Sequence, residues 1–205
     1  QLDKQSKKVV ADKDGNWKVA MDPMQAGGPF QLTLKGKNAI NFKNILIGEV
    51  WICSGQSNMA WVVQNSNDPD VEIASANYPQ IRHIKVPNTT AAEPQSDIGE
   101  TTWKECSPET VGSFTAVGYF FGRELMKDIN VPIGLINTSW GGTHVETWTS
   151  KEAFEGSQEF RSMIASMGKV NLDSMRVRNE KTVVDKIEGL QGPLSKSTER
   201  VHEWK

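Results

Sequence analysis

The sequence carries no strong excess of charge and no long hydrophobic run. Its 205 residues include 23 Lys and Arg against 25 Asp and Glu, which gives a formal net charge of −2. Without a basic stripe, nucleic acid is a poor candidate partner. No apolar run approaches the ~20 residues that cross a bilayer, and no charged-then-apolar leader opens the sequence. We therefore expect no membrane contact and no signal peptide in this chain.

Cysteine and histidine are both scarce, with two cysteines and three histidines in the whole chain. Cys53 and Cys106 fall on or beside predicted buried strands, so we expect packed thiols rather than a disulfide. No pair of His, Cys or carboxylate side chains has the spacing of metal ligands. The sequence therefore predicts no metal site, and we expect no cofactor.

The most informative segment is an apolar run over residues 45–53 that leads into Gly-Gln-Ser-Asn-Met at residues 55–59. A run of this length predicts a strand buried on both faces, as central parallel strands usually are. Ligands bind at the carboxyl ends of such strands in open α/β sheets. A glycine permits a sharp turn there, which places Ser57 like a nucleophile. The same spacing also fits an ordinary strand-to-helix loop in which Ser57 is only an N-cap.

A second strand end carries a comparable motif. The apolar segment 131–137 predicts a buried strand, and Trp-Gly-Gly-Thr-His-Val-Glu-Thr-Trp follows it at residues 140–148. Asn137-Thr138-Ser139 fits the glycosylation pattern, but its position at a strand end beside the Ser57 motif leads us to discount it.

The two motifs together resemble the first sequence blocks of the SGNH (GDSL-like) hydrolases, and more narrowly the sialate O-acetylesterase branch of the carbohydrate esterases. Residues 103–125 resemble the same branch, and the resemblance extends from roughly residue 8 to residue 150. Two separated blocks in the right order are a far more specific signal than Gly-x-Ser alone.

The resemblance implies an α/β fold: part of the three-layer α/β/α SGNH domain with its parallel sheet, preceded by the last strands of a β-sandwich. We assign residues 1–44, with short alternating segments at 17–21, 30–34 and 39–42, to the sandwich. Residues 45–150 correspond to the amino-terminal half of the hydrolase domain, and residues 151–205 to a helical and polar extension of unknown role.

Within the hydrolase part the pattern predicts a strand at residues 80–86 and a short extended piece at Trp103. It also predicts a helix after Ser113, which is available as N-cap. Helical spacing places four large apolar side chains on one face of that helix, and Gly118 and Gly122 on a neighbouring face would let it approach a sheet closely. The four side chains are those of Phe114, Val117, Phe121 and Leu125.

The resemblance also implies esterase chemistry. Ser57 would attack the ester carbonyl, and the backbone N–H groups of Ser57 and Gly141, with Gly142 beside it, would bind the oxyanion. The implied partner is an acetylated glycan or sialic acid, most specifically its 9-O-acetyl group, in the periplasm or outside the cell. An acetylxylan-type esterase and a non-catalytic glycan-binding module on a degenerate hydrolase fold are the alternatives.

Three further residues beside these motifs are candidates for contact with the substrate: Gln56, Asn58 and His144. For His144 the alternative is an exposed helix residue without a role in binding. A catalytic histidine is harder to assign. His83 lies inside a predicted strand and is most simply a packed or edge residue. The resembling family carries a late Asp-x-x-His block, and Glu199-Arg200-Val201-His202 copies only its spacing, while a Gln-Gly-Glu segment that supplies another oxyanion donor is absent from the sequence. We therefore expect these 205 residues alone to be nearly inactive, with the histidine late in the chain or outside it.

Overall fold

The computed structural model describes residues 1–91, 94–167 and 172–201. The strands in these ranges are β1 (Gly27–Lys35), β2 (Ala39–Ile47), β3 (Glu49–Cys53), β4 (Tyr78–Lys85), β5 (Lys104–Cys106) and β6 (Ile133–Asn137). The helices are α1 (Ser57–Ala60), α2 (Pro69–Ser75), α3 (Ala116–Ile129), α4 (Lys151–Glu155), α5 (Arg161–Met167) and α6 (Leu172–Val201). None of the helices in the described ranges has both the length and the apolar composition that crossing a membrane requires.

The chain divides into two compact units. The first consists of Gln1–Thr89 and Gln95–His144 and contains every strand together with α1, α2 and α3. The second consists of Thr90–Pro94 and Val145–Lys205. In this unit the segment after residue 150, predicted as a helical and polar extension, forms α4, α5 and α6, and the side chains of residues 173–187 in α6 are exposed.

Four strands of the first unit form one sheet in the order β3-β6-β4-β5. The strands β3, β6 and β4 run parallel, and β5 is antiparallel to β4. Ile133 at the start of β6 pairs with Glu49 and Ile81, and Asn137 at its end pairs with Cys53 and Lys85. Three strands therefore end level with one another, and the predicted α/β class with parallel strands is confirmed.

The position of β3 corrects the prediction of one long, central, buried strand over residues 45–53. The run is divided at Gly48, where a Cβ would lie 2.0 Å from the carbonyl oxygen of Pro132, so only glycine fits this close approach. Its second half, β3, is an edge strand in the described sheet, with Val50 59% and Ile52 70% exposed. The central buried strand is β6, whose Ile133 and Leu135 are almost fully buried.

Helix α3 packs on this sheet through its glycines. A Cβ on Gly118 would lie 2.7 Å from Cys53 Sγ, and a Cβ on Gly122 would lie 3.3 Å from Ile133 Cγ2. The predicted close approach is therefore confirmed. The predicted face is wrong in part, because Val117 is 47% and Phe121 42% exposed. Gly118 and Gly122 let the helix backbone approach the sheet, while the ring of Phe121 packs against Trp51 of β3 with centroids 4.9 Å apart.

The start of α3 also differs from the prediction. Thr115, not Ser113, is the N-cap, and its hydroxyl accepts a hydrogen bond from the N–H of Gly118 at 3.5 Å. The preceding 3₁₀ turn, Val111–Ser113, ends in Phe114, which is fully buried just before the helix. A hydrophobic residue immediately before an N-cap commonly fixes the angle at which the chain enters a helix.

A polar contact joins α2 to α3. The Tyr119 hydroxyl donates to Glu72 Oε1 at 2.5 Å, and the Arg123 guanidinium donates to the same oxygen at 2.5 Å. Burial and the neighbouring Glu72 carboxylate raise the pKa of Tyr119. Because the groups satisfy one another, we assign this cluster a structural role.

The amino-terminal region contains the antiparallel pair β1 and β2. A turn precedes this pair, with Asp12 Oδ1 accepting the N–H groups of Asp14 and Asn16 at 2.9 Å. The strand predicted at residues 17–21 does not form, and Trp17 is 50% exposed. An alternating pattern needs a neighbouring strand to become a strand, and these residues pair with none in the described structure.

Both cysteines are buried free thiols, as the sequence predicted. Cys53 lies under α3 at Gly118, and Cys106 ends β5. Burial raises the pKa of Cys106 to about 11, so its thiol stays protonated and unreactive at neutral pH.

Candidate active site

The Ser57 motif and the start of the second motif lie side by side at the carboxyl end of the sheet. Ser57 begins α1, four residues after the end of β3, and the second motif follows the adjacent strand β6. The N–H of Thr138 donates to the carbonyl of Cys53 at 3.1 Å, and the N–H of Trp140 donates to that of Gly55 at 3.0 Å. The pairing of the two strands is thus continued by the two loops.

Gly141 lies directly against Ser57. A Cβ on Gly141 would lie 3.6 Å from both Cα and Oγ of Ser57. Gly55, two residues before Ser57, has φ of +137°, a conformation that side-chain-bearing residues rarely adopt. This turn directs the exposed Ser57 side chain toward the second loop.

The loop after β6 is held in place by its own hydrogen bonds and by Gln56. The Thr143 hydroxyl donates to the carbonyl of Trp140 at 2.8 Å, and the Gln56 amide nitrogen donates to the carbonyl of Thr143. Gly142 lies inside this turn at φ of +76°. The Gln56 side chain, predicted to contact substrate, here connects the loop that leads into Ser57 to the glycine loop, which follows β6 and contains Gly141 and Gly142.

The remaining predicted site residues belong to the same unit. Gly142, Asn58 and His144 are all exposed, with Asn58 on α1 one residue after Ser57 and His144 directly after Thr143. The sequence thus predicted which segments the fold brings together. It did not predict the hydrogen bonds that hold them.

A buried polar cluster below the glycine loop escaped the sequence reasoning. Asn137 is 3% exposed and Ser139 is fully buried, and Asn137 Oδ1 accepts the N–H of Ser139 at 2.9 Å and its hydroxyl at 2.6 Å. Lys85, at the end of β4, donates through Nζ to the carbonyl of Ser139. The sequence feature that could have indicated this cluster is that Lys85 and Asn137 both lie at the ends of parallel strands. The burial of Asn137 also agrees with the decision to discount the glycosylation pattern.

His83 is a packed residue. It is 3% exposed, its ring stacks on Phe114 with centroids 4.3 Å apart, and Nε2 accepts the N–H of Thr115 at 3.4 Å. Burial, with the charges of Lys85 and Lys104, lowers its pKa to about 4. His83 is therefore neutral and hydrogen-bonded to the N-cap residue of α3, and of the two positions that the sequence allowed, packed or edge, it occupies the packed one.

The Glu-x-x-His segment at residues 199–202 extends past the residues that the structure describes. Glu199 lies in α6, and His202 lies outside the described residues. Within the described ranges, no three His, Cys, Asp or Glu side chains converge as metal ligands would.

Two cavities lie elsewhere on the first unit. One of about 440 Å³ opens at the amino ends of the parallel strands, beside Glu49, Arg82 and Trp103. The other, of about 450 Å³, lies beside His83, Lys85 and Lys104. Ser57 lines neither of these two cavities.

Known proteins with related sequences match the region that contains both motifs. Residues 47–179 match the family described as carbohydrate esterase, sialic acid-specific acetylesterase. The sialate O-acetylesterase of Rattus norvegicus is 37% identical over 164 residues, which cover 73% of this chain and 30% of the rat protein. That of Homo sapiens is 36% identical over 159 residues, which cover 70% of this chain and 30% of the human protein.

A solved structure agrees with these matches. The crystal structure of a carbohydrate acetylesterase from Xanthomonas citri superposes with a TM-score of 0.74 at 37% sequence identity. The superposition covers 77% of this chain and 37% of the Xanthomonas chain. The present chain therefore spans about a third of the length of these relatives.

Proposed function

Because the chain belongs to the sialic acid-specific acetylesterase family of carbohydrate esterases, we propose that the intact protein is a serine esterase that removes O-acetyl groups from carbohydrate. The preferred substrate is a sialic acid carrying a 9-O-acetyl group. The rat and human relatives are named sialate O-acetylesterases, and this supports sialic acid over other acetylated sugars.

The observation that carries the proposal is the contact between Gly141 and Ser57. Ser57 Oγ attacks the acetyl carbonyl carbon, the ester C–O bond breaks, and the sugar hydroxyl leaves with a proton. Water then hydrolyses the acetyl-serine to acetate and restores the hydroxyl. The acetyl carbonyl oxygen becomes negative in the tetrahedral intermediate of each step and needs preorganised donors.

Two backbone N–H groups are suited to that oxyanion. The N–H of Ser57 belongs to the first turn of α1, where a helix provides no intrahelical acceptor. The N–H of Gly141 belongs to the residue that lies against the Ser57 side chain. A histidine other than His83 accepts the serine proton, since His83 Nε2 already accepts the N–H of Thr115.

The roles of the other site residues follow from their positions. Gln56 holds the two loops together, and we assign Asn58, which follows Ser57 in α1, and the exposed His144, which follows Thr143, to contacts with the hydroxyls of a sugar. We further propose that the protein acts in the periplasm or outside the cell, where acetylated glycans are encountered. Fractionation of cells that express the native gene tests the location, and a cytosolic product would contradict it.

Acetate release by the intact protein tests the function. With a 9-O-acetylated sialic acid as substrate, Ser57→Ala is expected to lower turnover by about 10⁴-fold or more, because removing a serine nucleophile costs that much in other serine hydrolases. Ser75→Ala, which removes an exposed hydroxyl on α2, is the matched control and should retain activity. Equal acetate release by wild type and Ser57→Ala would refute the proposal.

The same assay separates the proposal from its alternatives. An acetylxylan-type enzyme would release acetate from acetylated xylan faster than from the sialic acid, and would still depend on Ser57. A glycan-binding module without catalysis would release acetate from neither substrate while binding the glycan.

A further inference from the structure

Lys85 contacts the glycine loop that follows β6, although Lys85 itself belongs to β4. It is the last residue of β4, two strands away from β3, and is paired with Asn137 at the end of β6. Its Nζ donates to the carbonyl of Ser139 and lies 3.4 Å from the Ser139 hydroxyl and 3.5 Å from Asn137 Oδ1. The ammonium group is therefore directed at the first turn of the loop that presents Gly141.

The peptide unit between Ser139 and Trp140 is held at both of its polar ends. Its carbonyl oxygen accepts from Lys85, and its N–H donates to the carbonyl of Gly55 at 3.0 Å. Gly55 belongs to the loop between β3 and Ser57, and Lys85 is the last residue of β4. The orientation of this one peptide is therefore fixed by two separate segments of the chain.

Gly141 follows this peptide directly. Rotation of the Ser139–Trp140 peptide would change the direction of the N–H of Gly141, the residue that lies against Ser57, since the backbone is continuous between them. Oxyanion donors act through preorganised direction, and losing one costs about 10²–10³ in turnover. A group that fixes this peptide therefore acts on the transition state without touching the substrate.

The surroundings of Lys85 fit a fixed ammonium group better than a mobile surface lysine. The residue is half-buried, and its backbone carbonyl accepts the Thr101 hydroxyl at 2.8 Å. The carbonyl of Asn137 accepts the N–H of Val86 at 2.9 Å, which ties the end of β4 to β6. Burial lowers the pKa of Lys85, as expected where solvation is incomplete.

We propose that Lys85 is a positioning residue for the esterase reaction: its ammonium group holds the Ser139 carbonyl so that the N–H of Gly141 is directed at the oxyanion formed on attack by Ser57. This inference rests on the proposed function. It assigns Lys85 an effect on kcat and none on substrate binding.

The test is steady-state kinetics of the full-length protein with an acetylated sialic acid, normalised to the concentration of serine that a phosphonate probe titrates. Lys85→Met removes the donor and is expected to lower kcat about 10-fold or more with KM within about 2-fold. Lys85→Arg retains a cationic donor and is expected to recover part of that loss. Lys104→Met, on the neighbouring strand and exposed, is the matched control and should retain wild-type kcat.

Three results would overturn the inference. They are an unchanged kcat per titrated serine in Lys85→Met, a change confined to KM, or a Lys85→Arg variant as slow as Lys85→Met. Normalising to titrated serine separates positioning from folding, since unfolded protein is not counted. Ser57→Ala is measured alongside: if it is inactive while Lys85→Met is normal, only this inference fails, whereas an active Ser57→Ala overturns the proposed function and the inference together.

Discussion

Gly141 packs against the side chain of Ser57, so that a Cβ on the glycine would lie 3.6 Å from the serine Oγ. The two residues are 84 positions apart in sequence and follow adjacent parallel strands. Since 3.6 Å is an ordinary van der Waals distance, the position can hold a methyl group, but that group would occupy space beside the hydroxyl.

Alanine at Gly141 is expected to impair catalysis more than stability. Gly141 does not have the positive φ that alanine disfavours, so the free energy of unfolding should change by less than about 1 kcal/mol. The added methyl would displace the acetyl carbonyl, and kcat/KM should fall about 10-fold or more. Kinetics and urea unfolding of the same preparation measure both effects.

Gly142→Ala is the contrasting variant. Gly142 has φ of +76° and open space around its Cα, so alanine is strained there without a clash. We expect a loss of about 1 kcal/mol in stability and a smaller loss of activity than in Gly141→Ala. The reverse order of the two activity losses would contradict the assigned geometry.

The sequence was sufficient to predict this proximity because it depends on topology. Two apolar runs, each followed by glycine and small polar residues, indicate parallel strands whose carboxyl ends share one edge of a sheet. The break at Gly48 was not predictable in the same way. The break arises because the backbone of Pro132, 84 residues later, approaches Gly48, and a local sequence pattern contains no information about such a distant contact.

Gln56→Glu is expected to separate the two loops. The amide donates to the carbonyl of Thr143, whereas a carboxylate would face that carbonyl with a second acceptor. We expect kcat/KM to fall about 10-fold, the effect of losing a hydrogen bond of roughly 1–2 kcal/mol. Gln80→Glu, exposed on β4, is the matched control. Unimpaired activity of Gln56→Glu would argue that the contact does not position the loops.

The lowered pKa of buried His83 predicts that the protein loses stability as the pH falls. Its pKa is lowered from 6.5 to about 4 in the folded protein, so the unfolded chain binds a proton more readily as the pH falls. Stability is therefore full above pH 6.5 and declines toward pH 4, by about 2 kcal/mol between pH 7 and pH 5. His83→Gln lacks this titration and should have a flatter profile in urea unfolding. An equally steep profile in the variant would assign the effect to other groups.

Gly118→Ala is expected to destabilise the protein despite the higher helix propensity of alanine. A Cβ there would lie 2.7 Å from Cys53 Sγ, which forces α3 away from β3. Overpacking of this kind costs about 1–3 kcal/mol. Gly122→Ala, with its nearest side-chain atom at 3.3 Å, should cost less. Thermal unfolding of the two variants measures the difference, and equal melting temperatures would contradict this packing.

The buried face of α3 illustrates why helical periodicity predicted the helix but not its orientation. The spacing of Val117 and Phe121 identified a helix, yet a hydrophobic stripe carries no information about how near the sheet must come. The distance between α3 and the sheet is set by Cys53 of β3 and by Ile133 and Leu135 of β6. The Lys85 cluster depends on pairing between strands in the same way.

The most direct test of the central claim is to identify the residue that a serine-directed phosphonate modifies in the full-length protein. A serine that is activated by a base and lies next to oxyanion donors reacts with the phosphonate far faster than other serines do. Peptide mapping by mass spectrometry is predicted to find one label per molecule at Ser57, with none in Ser57→Ala. A label at another serine, or an unlabelled protein that still releases acetate, would contradict the account.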